Sequence, residues 1–191
     1  MAEPSNESRR VKYTKKVIRD SFFELLAVYP INRITVKMIS EKADVNRGTF
    51  YAYYKDAYDL LEKTENALYA IIKEQFKDYS YDGHTRDALL GVLEHLEKNI
   101  EVCRVLFGKN GDRDFMKKLL YIVHDQTIEF WNELYPDTGV HILELTYSYL
   151  VAGSSGVITD WIFDDAGITA EQLTDYLFGM WNNGLTSLKS N

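Results

Sequence analysis

The chain contains one cysteine, three prolines and no uninterrupted apolar run that approaches the length of a membrane span. Since Cys103 is alone, neither an intramolecular disulfide nor a zinc site built from several thiolates can form. The first ten residues, MAEPSNESRR, lack the apolar segment of a signal peptide. These absences argue against secretion and membrane insertion, so we expect a protein of the cytoplasm with no membrane partner.

Catalytic motifs are missing as well. The sequence has no H-E-x-x-H, no G-x-S-x-G and no glycine-rich phosphate loop, and its histidines lie on different predicted elements. His124 and Asp125 are adjacent, so on a helix their side chains project in different directions. An enzyme would need a cleft with clustered titratable groups. We therefore predict no catalytic residues, no metal site and no cofactor.

Apolar residues, in contrast, are abundant and the charge is unevenly distributed. Hydrophobic residues make up 46% of the 191 residues and aromatic residues 14%, which is typical of a packed core rather than disorder. The net charge is -7, yet residues 1–55 contain eleven Lys and Arg against six Asp and Glu, whereas residues 56–191 contain eleven against twenty-three. Because an acidic surface repels phosphate, only the N-terminal part can approach nucleic acid.

Apolar residues recur at helical spacing along the whole chain, and no strand alternation is present. The sequence therefore predicts an all-α fold of about nine helices. Two short helices are predicted within residues 35–55. The remaining helices are predicted over residues 13–29, 56–79, 86–99, 102–107, 112–135, 140–163 and 169–188.

The stretch around which the chain is organised covers residues 35–55 and reads TVKMISEKADVNRGTFYAYYK. Thr35 can cap a first short helix, and Asn46 can cap a second one after a tight corner. On the second helix Phe50 can face the core while Arg47 and Tyr51 face outward. This arrangement is typical of a helix-turn-helix unit that enters the major groove of DNA.

The longer run ITVKMISEKADVNRGTFYAYYKDAYDLL resembles the DNA-binding domain of the TetR family of bacterial transcriptional regulators. Residues at family spacing include Thr35, Val45 and the TFY triplet at 49–51. Asp44 departs from the family pattern, which usually has glycine at this corner, and Ala57 replaces a lysine that many members direct at a phosphate. The resemblance implies a three-helix DNA-binding domain over 1–55 and a helical dimerisation and effector-binding domain over 56–191.

Chemistry suggests roles for the residues of the motif in binding double-stranded operator DNA. Arg47 is the best candidate for a bidentate contact with guanine, and Gly48 lets the backbone approach the duplex. Arg10 belongs to a basic cluster expected just before the first helix, which is either a solvated tail or an arm on the DNA backbone. The complete set of candidate DNA-binding residues is Arg10, Thr35, Lys37, Asn46, Arg47, Gly48, Thr49, Tyr51, Tyr53 and Lys55.

The last two predicted helices carry more apolar residues than packing through a single helix face would need. Pattern alone cannot separate core from interface, but one recognition helix reads only a few base pairs, and the resemblance implies a homodimer formed through these helices. The candidate interface residues are Leu150, Ile158, Leu173, Leu177, Met180 and Trp181. A shorter likeness over residues 153–162, GSSGVITDWI, is to the C-terminal domain of activators of dihydroxyacetone kinase operons within the same family.

Aromatic and polar residues of the middle helices can line a ligand pocket or form an ordinary core. The resemblance favours a pocket for a small-molecule effector, whose identity the sequence does not give. Its candidate residues are Tyr69, Phe76, His95, Cys103, Phe107, Phe115, Tyr121, His124, Trp131 and Tyr147.

The sequence therefore predicts a DNA-binding transcriptional regulator, a repressor that a small molecule releases from DNA. The alternative is a regulator, repressing or activating, that a protein partner controls. An enclosed cavity lined by these aromatic residues favours the first, and a filled core with an exposed apolar patch favours the second.

Overall fold

The computed structural model describes residues 8–76, 85–111, 114–164 and 167–186. These residues form helices and connecting turns without a strand, which confirms the all-α prediction. The α-helices are α1 Arg9–Leu26, α2 Val36–Lys42, α3 Arg47–Tyr51, α4 Ala57–Gln75, α5 Thr85–Lys98, α6 Ile100–Leu106, α7 Phe115–Leu120, α8 His124–Leu134, α9 Val140–Phe163 and α10 Ala170–Thr186. Two short 3₁₀ turns cover Ile31–Arg33 and Tyr121–Val123. The predicted helical residues 77–79, 112–113 and 187–188 lie outside the described part.

Helix α1 begins four residues earlier than predicted, at Arg9 instead of residue 13. The Ser8 hydroxyl accepts a hydrogen bond from the Val11 amide at 3.4 Å and so caps the helix. Arg10 consequently lies in the first helical turn, and the prediction of a basic cluster ahead of the helix was wrong. The polar residues 1–7 lie outside the described part of the chain.

The segment predicted as one helix over residues 112–135 is interrupted at Leu120. The Tyr147 hydroxyl donates a hydrogen bond to the Leu120 carbonyl at 2.7 Å, and the chain tightens into a 3₁₀ turn there before α8 begins. A side-chain donor inserted into the backbone ladder is a known cause of such breaks, and the sequence does not reveal a donor 27 residues away. With α7 and α8 counted as one interrupted helix, the described chain has the nine helices that the sequence predicts.

The main hydrophobic core is continuous from α1 to α10. It joins Phe22 of α1 and Phe50 of α3 to Leu60 of α4, and continues through α5 and α6 to Leu177 of α10. A second cluster, centred on Trp131, closes the far end between α8, α9 and α10. No gap in the described core marks residue 55, so the division into domains at that residue stays a prediction.

Helix α10 packs along α5. Arg86 of α5 donates to Asp175 of α10, with 2.6 Å between Nη2 and Oδ1, and Glu97 accepts from the Ala170 amide at 3.2 Å. None of the helices in the described segments is long and apolar enough to span a lipid bilayer.

Candidate functional site

Both predicted caps of the helix-turn-helix unit are present. The Thr35 hydroxyl accepts from the Met38 amide at 3.3 Å at the start of α2. The Asn46 side-chain oxygen accepts from the Thr49 amide at 2.7 Å and from the Thr49 hydroxyl at 3.2 Å at the start of α3. Caps of this kind contribute about 1 kcal/mol each, which fixes where these short helices begin.

The corner between α2 and α3 turns at Asp44. This residue has a φ of 51°, and the following Val45 amide donates to the Ser40 carbonyl at 3.0 Å. Aspartate is one of the few residues other than glycine that adopt this left-handed conformation with a tolerable penalty. The departure from the family's glycine is therefore compatible with the same tight corner.

Two neighbouring aromatic residues of α3 differ in burial, although their rings meet edge to face with 5.8 Å between the centroids. Phe50 is completely buried and packs against Tyr54 with 5.6 Å between the ring centroids, whereas the Tyr51 side chain is 58% exposed. Arg47 is also exposed, one turn before Tyr51. One face of α3 thus packs in the core, and another is exposed and can contact a partner.

The other predicted DNA-binding residues are exposed or half-buried. Gly48 is exposed, and a Cβ atom there would lie 3.1 Å from the Asn46 side-chain oxygen, so a larger residue would press on the cap. The residues that are exposed are Arg10, Thr35, Lys37, Asn46 and Lys55, and those that are half-buried are Thr49 and Tyr53.

Polar contacts join the end of α3 to α4. Lys63 of α4 donates to the Tyr53 carbonyl at 3.0 Å and to Asp59 at 2.8 Å, and Asp59 also accepts from the Lys55 amide at 2.9 Å. The hydrogen bond from Lys63 and that from the Lys55 amide lower the pKa of Asp59. A displacement of α4 would therefore be transmitted to the segment that follows the recognition helix.

At the other end of α4 lies a partly open cavity of about 100 Å³. Of the ten predicted pocket residues, Phe76, Trp131 and Tyr147 line it. Aliphatic side chains supply most of the remaining wall. The described residues that line it are Ile72, Phe76, Thr85, Leu89, Val92, Leu96, Met116, Leu119, Leu120, Val123, Thr127, Trp131, Tyr147, Leu150, Val151, Ser154, Ile158 and Trp181.

The other seven predicted pocket residues are not among the described residues that line this cavity, and their assignment to a ligand pocket stays a prediction. Phe107 and Phe115 stack on each other in the core, with 5.9 Å between the ring centroids. Cys103 is buried, and burial raises its pKa to about 12, so its thiol is not poised for reaction or metal binding. The remaining four, which are outside the cavity lining, are Tyr69, His95, Tyr121 and His124.

The predicted dimer residues are mostly internal to one chain. Leu173 and Leu177 are buried in the main core, and only Met180, which is 53% exposed, lies on an outer surface. The three that line the cavity are Leu150, Ile158 and Trp181. Apart from Met180, these residues lie on the inner sides of the terminal helices in the single chain, and their role in an interface stays a prediction.

The exposed faces of α9 and α10 instead carry a different set of apolar and small residues, which we call the outer stripe. Tyr149 is 75% exposed, and a Cβ atom added at Gly153 or Gly156 would meet no other atom within 4 Å. The outer stripe consists of Ile142, Leu145, Tyr149, Gly153, Gly156, Tyr176 and Met180. Solvent-exposed apolar residues that share one face of a helix are typical of an interaction surface.

His124 joins α8 to α9 near the cavity. Its Nδ1 lies 2.7 Å from Asp125 and its Nε2 lies 2.8 Å from Glu144, while its ring is perpendicular to that of Tyr147 at 4.8 Å. Burial opposes the charged form, but the hydrogen bonds to the two carboxylates outweigh it and raise the pKa. Within the described residues, no group of three or more His, Cys, Asp or Glu side chains could hold a metal ion.

The raised pKa of His124 predicts how stability changes with pH. Its contribution is fully present below the pKa of the unfolded state, near 6.5, and is lost as the pH rises through the higher folded-state value. The free energy of unfolding, measured by urea denaturation, should fall between pH 6 and pH 8.5 by more in the natural protein than in His124→Gln. Equal pH dependence in the two proteins would contradict this role.

The exposed and capped helix pair defines the class of protein, a helix-turn-helix transcriptional regulator. Residues 83–183, just over half of the chain, match the family model of a transcriptional regulator C-terminal region of the TetR type. The chain therefore belongs to the TetR family of transcriptional regulators. Members of this family are regulators rather than enzymes.

Known proteins are similar to the chain in sequence or in fold. An uncharacterized HTH-type transcriptional regulator of Bacillus subtilis (strain 168), YxbF, is 40% identical over 45 residues, which are 24% of this chain and 12% of that protein. The chain therefore spans only a small part of the length of this relative.

Solved structures match over nearly the whole chain. A TetR transcriptional regulator from Streptococcus agalactiae 2603V has a TM-score of 0.64 at 22% identity, covering 91% of this chain and 96% of its own. The dihydroxyacetone kinase operon activator DhaS has a TM-score of 0.56 at 23% identity, covering 92% of this chain and 96% of its own. At these identities the likeness shows a shared fold.

Proposed function

We propose that the protein is a homodimeric repressor that binds double-stranded operator DNA in the cytoplasm through α3 and leaves it when a small molecule occupies the cavity. The observation that carries DNA binding is the exposure of Arg47 and Tyr51 at the tip of a doubly capped helix pair. The excess of basic residues in 1–55 supports it, because phosphate attracts this part of an otherwise acidic chain.

Each exposed group has a proposed role at the operator. Arg47 reads guanine in the major groove, and Gly48 allows close approach of the backbone. Contacts to phosphate set the register without reading sequence, and we assign them to Thr35, Lys37, Tyr51, Tyr53 and Lys55. Arg10, in the first turn of α1, is a further candidate for a phosphate contact.

Dimerisation is proposed through the outer stripe of α9 and α10. Two chains packed across these faces form an intermolecular four-helix bundle, and a two-fold dimer presents two recognition helices to half-sites about 34 Å apart. Burial of Tyr149 and Met180 would remove apolar surface from water, and the small Gly153 and Gly156 allow the helices to approach closely.

Helix α4 offers a route from the cavity to DNA. Ile72 and Phe76 near its C-terminal end line the cavity, and Lys63 nearer its N-terminal end holds the segment that follows α3. A molecule that fits only one position of α4 would stabilise one spacing of the two recognition helices. It weakens DNA binding only to the extent that its affinity differs between the two states.

A second candidate function is control by a protein partner, and one observation favours it. The outer stripe is exposed in the single chain, so a partner protein could occupy it in place of a second copy. Regulation could then be positive as well as negative. Sedimentation at micromolar concentration separates these proposals, because a dimer would leave the outer stripe covered.

Substitution of Arg47 tests sequence-specific recognition. With an operator selected from a random pool of duplexes, Arg47→Ala should weaken operator binding by about 1–3 kcal/mol per half-site and leave binding to unrelated DNA nearly unchanged. Lys55→Ala is the matched control for a phosphate contact. It should weaken both kinds of binding alike and reduce the salt slope by about 1. Equal losses from Arg47→Ala on operator and unrelated DNA, at fixed salt, would refute the assignment.

A further inference from the structure

The wall of the cavity carries no charged side chain among the eighteen described residues that form it. Nearly all of them present aliphatic or aromatic atoms. A charge moved from water into such surroundings without a partner is strongly disfavoured. An occupant that contacts these described residues is therefore uncharged and mainly apolar.

The few hydroxyl groups in the wall are engaged, with one exception. Thr127 donates to the Val123 carbonyl at 2.7 Å, Tyr147 donates to the Leu120 carbonyl at 2.7 Å, and Ser154 accepts from the Trp181 indole at 2.9 Å.

Thr85 is the exception. Its side chain is only 7% exposed and lines the cavity, and its hydroxyl has no hydrogen-bond partner among the described residues. A buried hydroxyl without a partner costs free energy that a ligand can recover. Thr85 is also the first residue of the 14-residue α5, where the positive end of the helix dipole favours an acceptor atom.

The volume limits the size of the occupant. An empty apolar cavity of about 150 Å³ accepts benzene in a well-packed protein, and the present cavity measures about 100 Å³. The present cavity therefore has about two-thirds of that volume, so a single six-membered ring fits only if the walls move slightly. Slight displacement of Ile72 or Phe76 on filling would act directly on α4.

We propose that the effector is an uncharged, compact, mainly apolar molecule with one hydroxyl or carbonyl oxygen that hydrogen bonds to Thr85. This inference rests on the proposed role of the cavity as the effector site. Polyols, nucleotides and carboxylates do not fit, because each would leave several polar groups or a charge unpaired in an apolar wall.

Three probes with one ring and different substituents test the chemistry by calorimetric titration of the full chain without DNA. Phenol should bind, toluene should bind more weakly, and benzoate should bind at least about 100-fold more weakly than phenol. Thr85→Val should weaken phenol binding by about 3- to 10-fold and leave toluene binding unchanged, and Thr85→Ser should retain the affinity for phenol.

Several results would overturn the proposal. These are the absence of phenol binding, tighter binding of benzoate than of phenol, and Thr85→Val with unaltered affinity for phenol. If Thr85→Val weakens the binding of toluene as well as that of phenol, the result for Thr85→Ser, which keeps the hydroxyl, is used instead. Loss of phenol binding in Thr85→Ser also overturns the proposal. Operator binding without probe tests the proposed function separately. Phenol that binds without changing operator affinity would reject the effector role and leave the ligand chemistry intact.

Discussion

Phe50→Ala is expected to lower the free energy of unfolding by about 3–5 kcal/mol and to abolish operator binding. Phe50 is completely buried in the main core and contacts the rings of Tyr51 and Tyr54. Helix α3 has only five residues, so it has little stability of its own and depends on this packing. Urea denaturation followed by circular dichroism measures the loss, and a mobility shift assay measures DNA binding.

Tyr51→Ala is the matched control for Phe50→Ala, because it removes the neighbouring aromatic ring from the exposed face of the same helix. It should change the free energy of unfolding by no more than about 0.5 kcal/mol while weakening DNA binding. If both variants unfolded at the same urea concentration as the natural protein, Phe50 would not be the residue that holds α3. If Tyr51→Ala were less stable than Phe50→Ala, then Tyr51 and not Phe50 would be the residue that packs in the core.

The sequence predicts the DNA-binding unit well because its signals are local. A capping side chain accepts a hydrogen bond from an amide three residues later in the chain, as Asn46 does from Thr49. The helical period predicts that Phe50 is buried and Tyr51 exposed. The start of α1 was missed although its cap, Ser8, is also local. There the predicted helix began with the apolar periodicity, which starts only after several polar residues.

The cavity could not be located in the same way. The predicted wall was based on aromatic residues, yet most of the residues that line the cavity are aliphatic. Phe107 and Phe115 instead stack on each other inside the core. Helix α9 is apolar on nearly all sides, so periodicity does not say which neighbour a residue faces. Leu150 and Ile158 were therefore placed at an interface although they line the cavity. Only the packing of α9 against the rest of the bundle separates its inner residues from the outer stripe.

A cavity, expected of a ligand-controlled regulator, is present together with an exposed apolar patch, which is one part of what was expected of a partner-controlled regulator. The cavity and the outer stripe both involve α9 and α10, on opposite faces of these helices. A filled cavity can therefore change the shape of the outer stripe as well as the position of α4. Coupling of this kind would make dimer geometry, and not the fold of the DNA-binding unit, the quantity that an effector alters.

Gly153→Arg is expected to convert the dimer into a monomer at micromolar concentration and to weaken operator binding by at least about 100-fold. A Cβ at Gly153 meets no atom within 4 Å, so the single chain accommodates the new side chain without a clash. In the dimer the arginine would place a bulky charge in a tightly packed helix interface. A monomer loses the advantage of binding the second half-site intramolecularly, which is worth about 10²- to 10⁴-fold in affinity.

Asn132→Arg is the control for Gly153→Arg, because it adds the same charge at an exposed position of α8 away from the outer stripe. It should leave both the sedimentation coefficient and operator affinity unchanged. Thermal unfolding of Gly153→Arg should remain cooperative, which separates loss of dimerisation from loss of folding. A Gly153→Arg protein that still sediments as a dimer would exclude the outer stripe as the interface, since no close helix packing across that glycine tolerates an arginine.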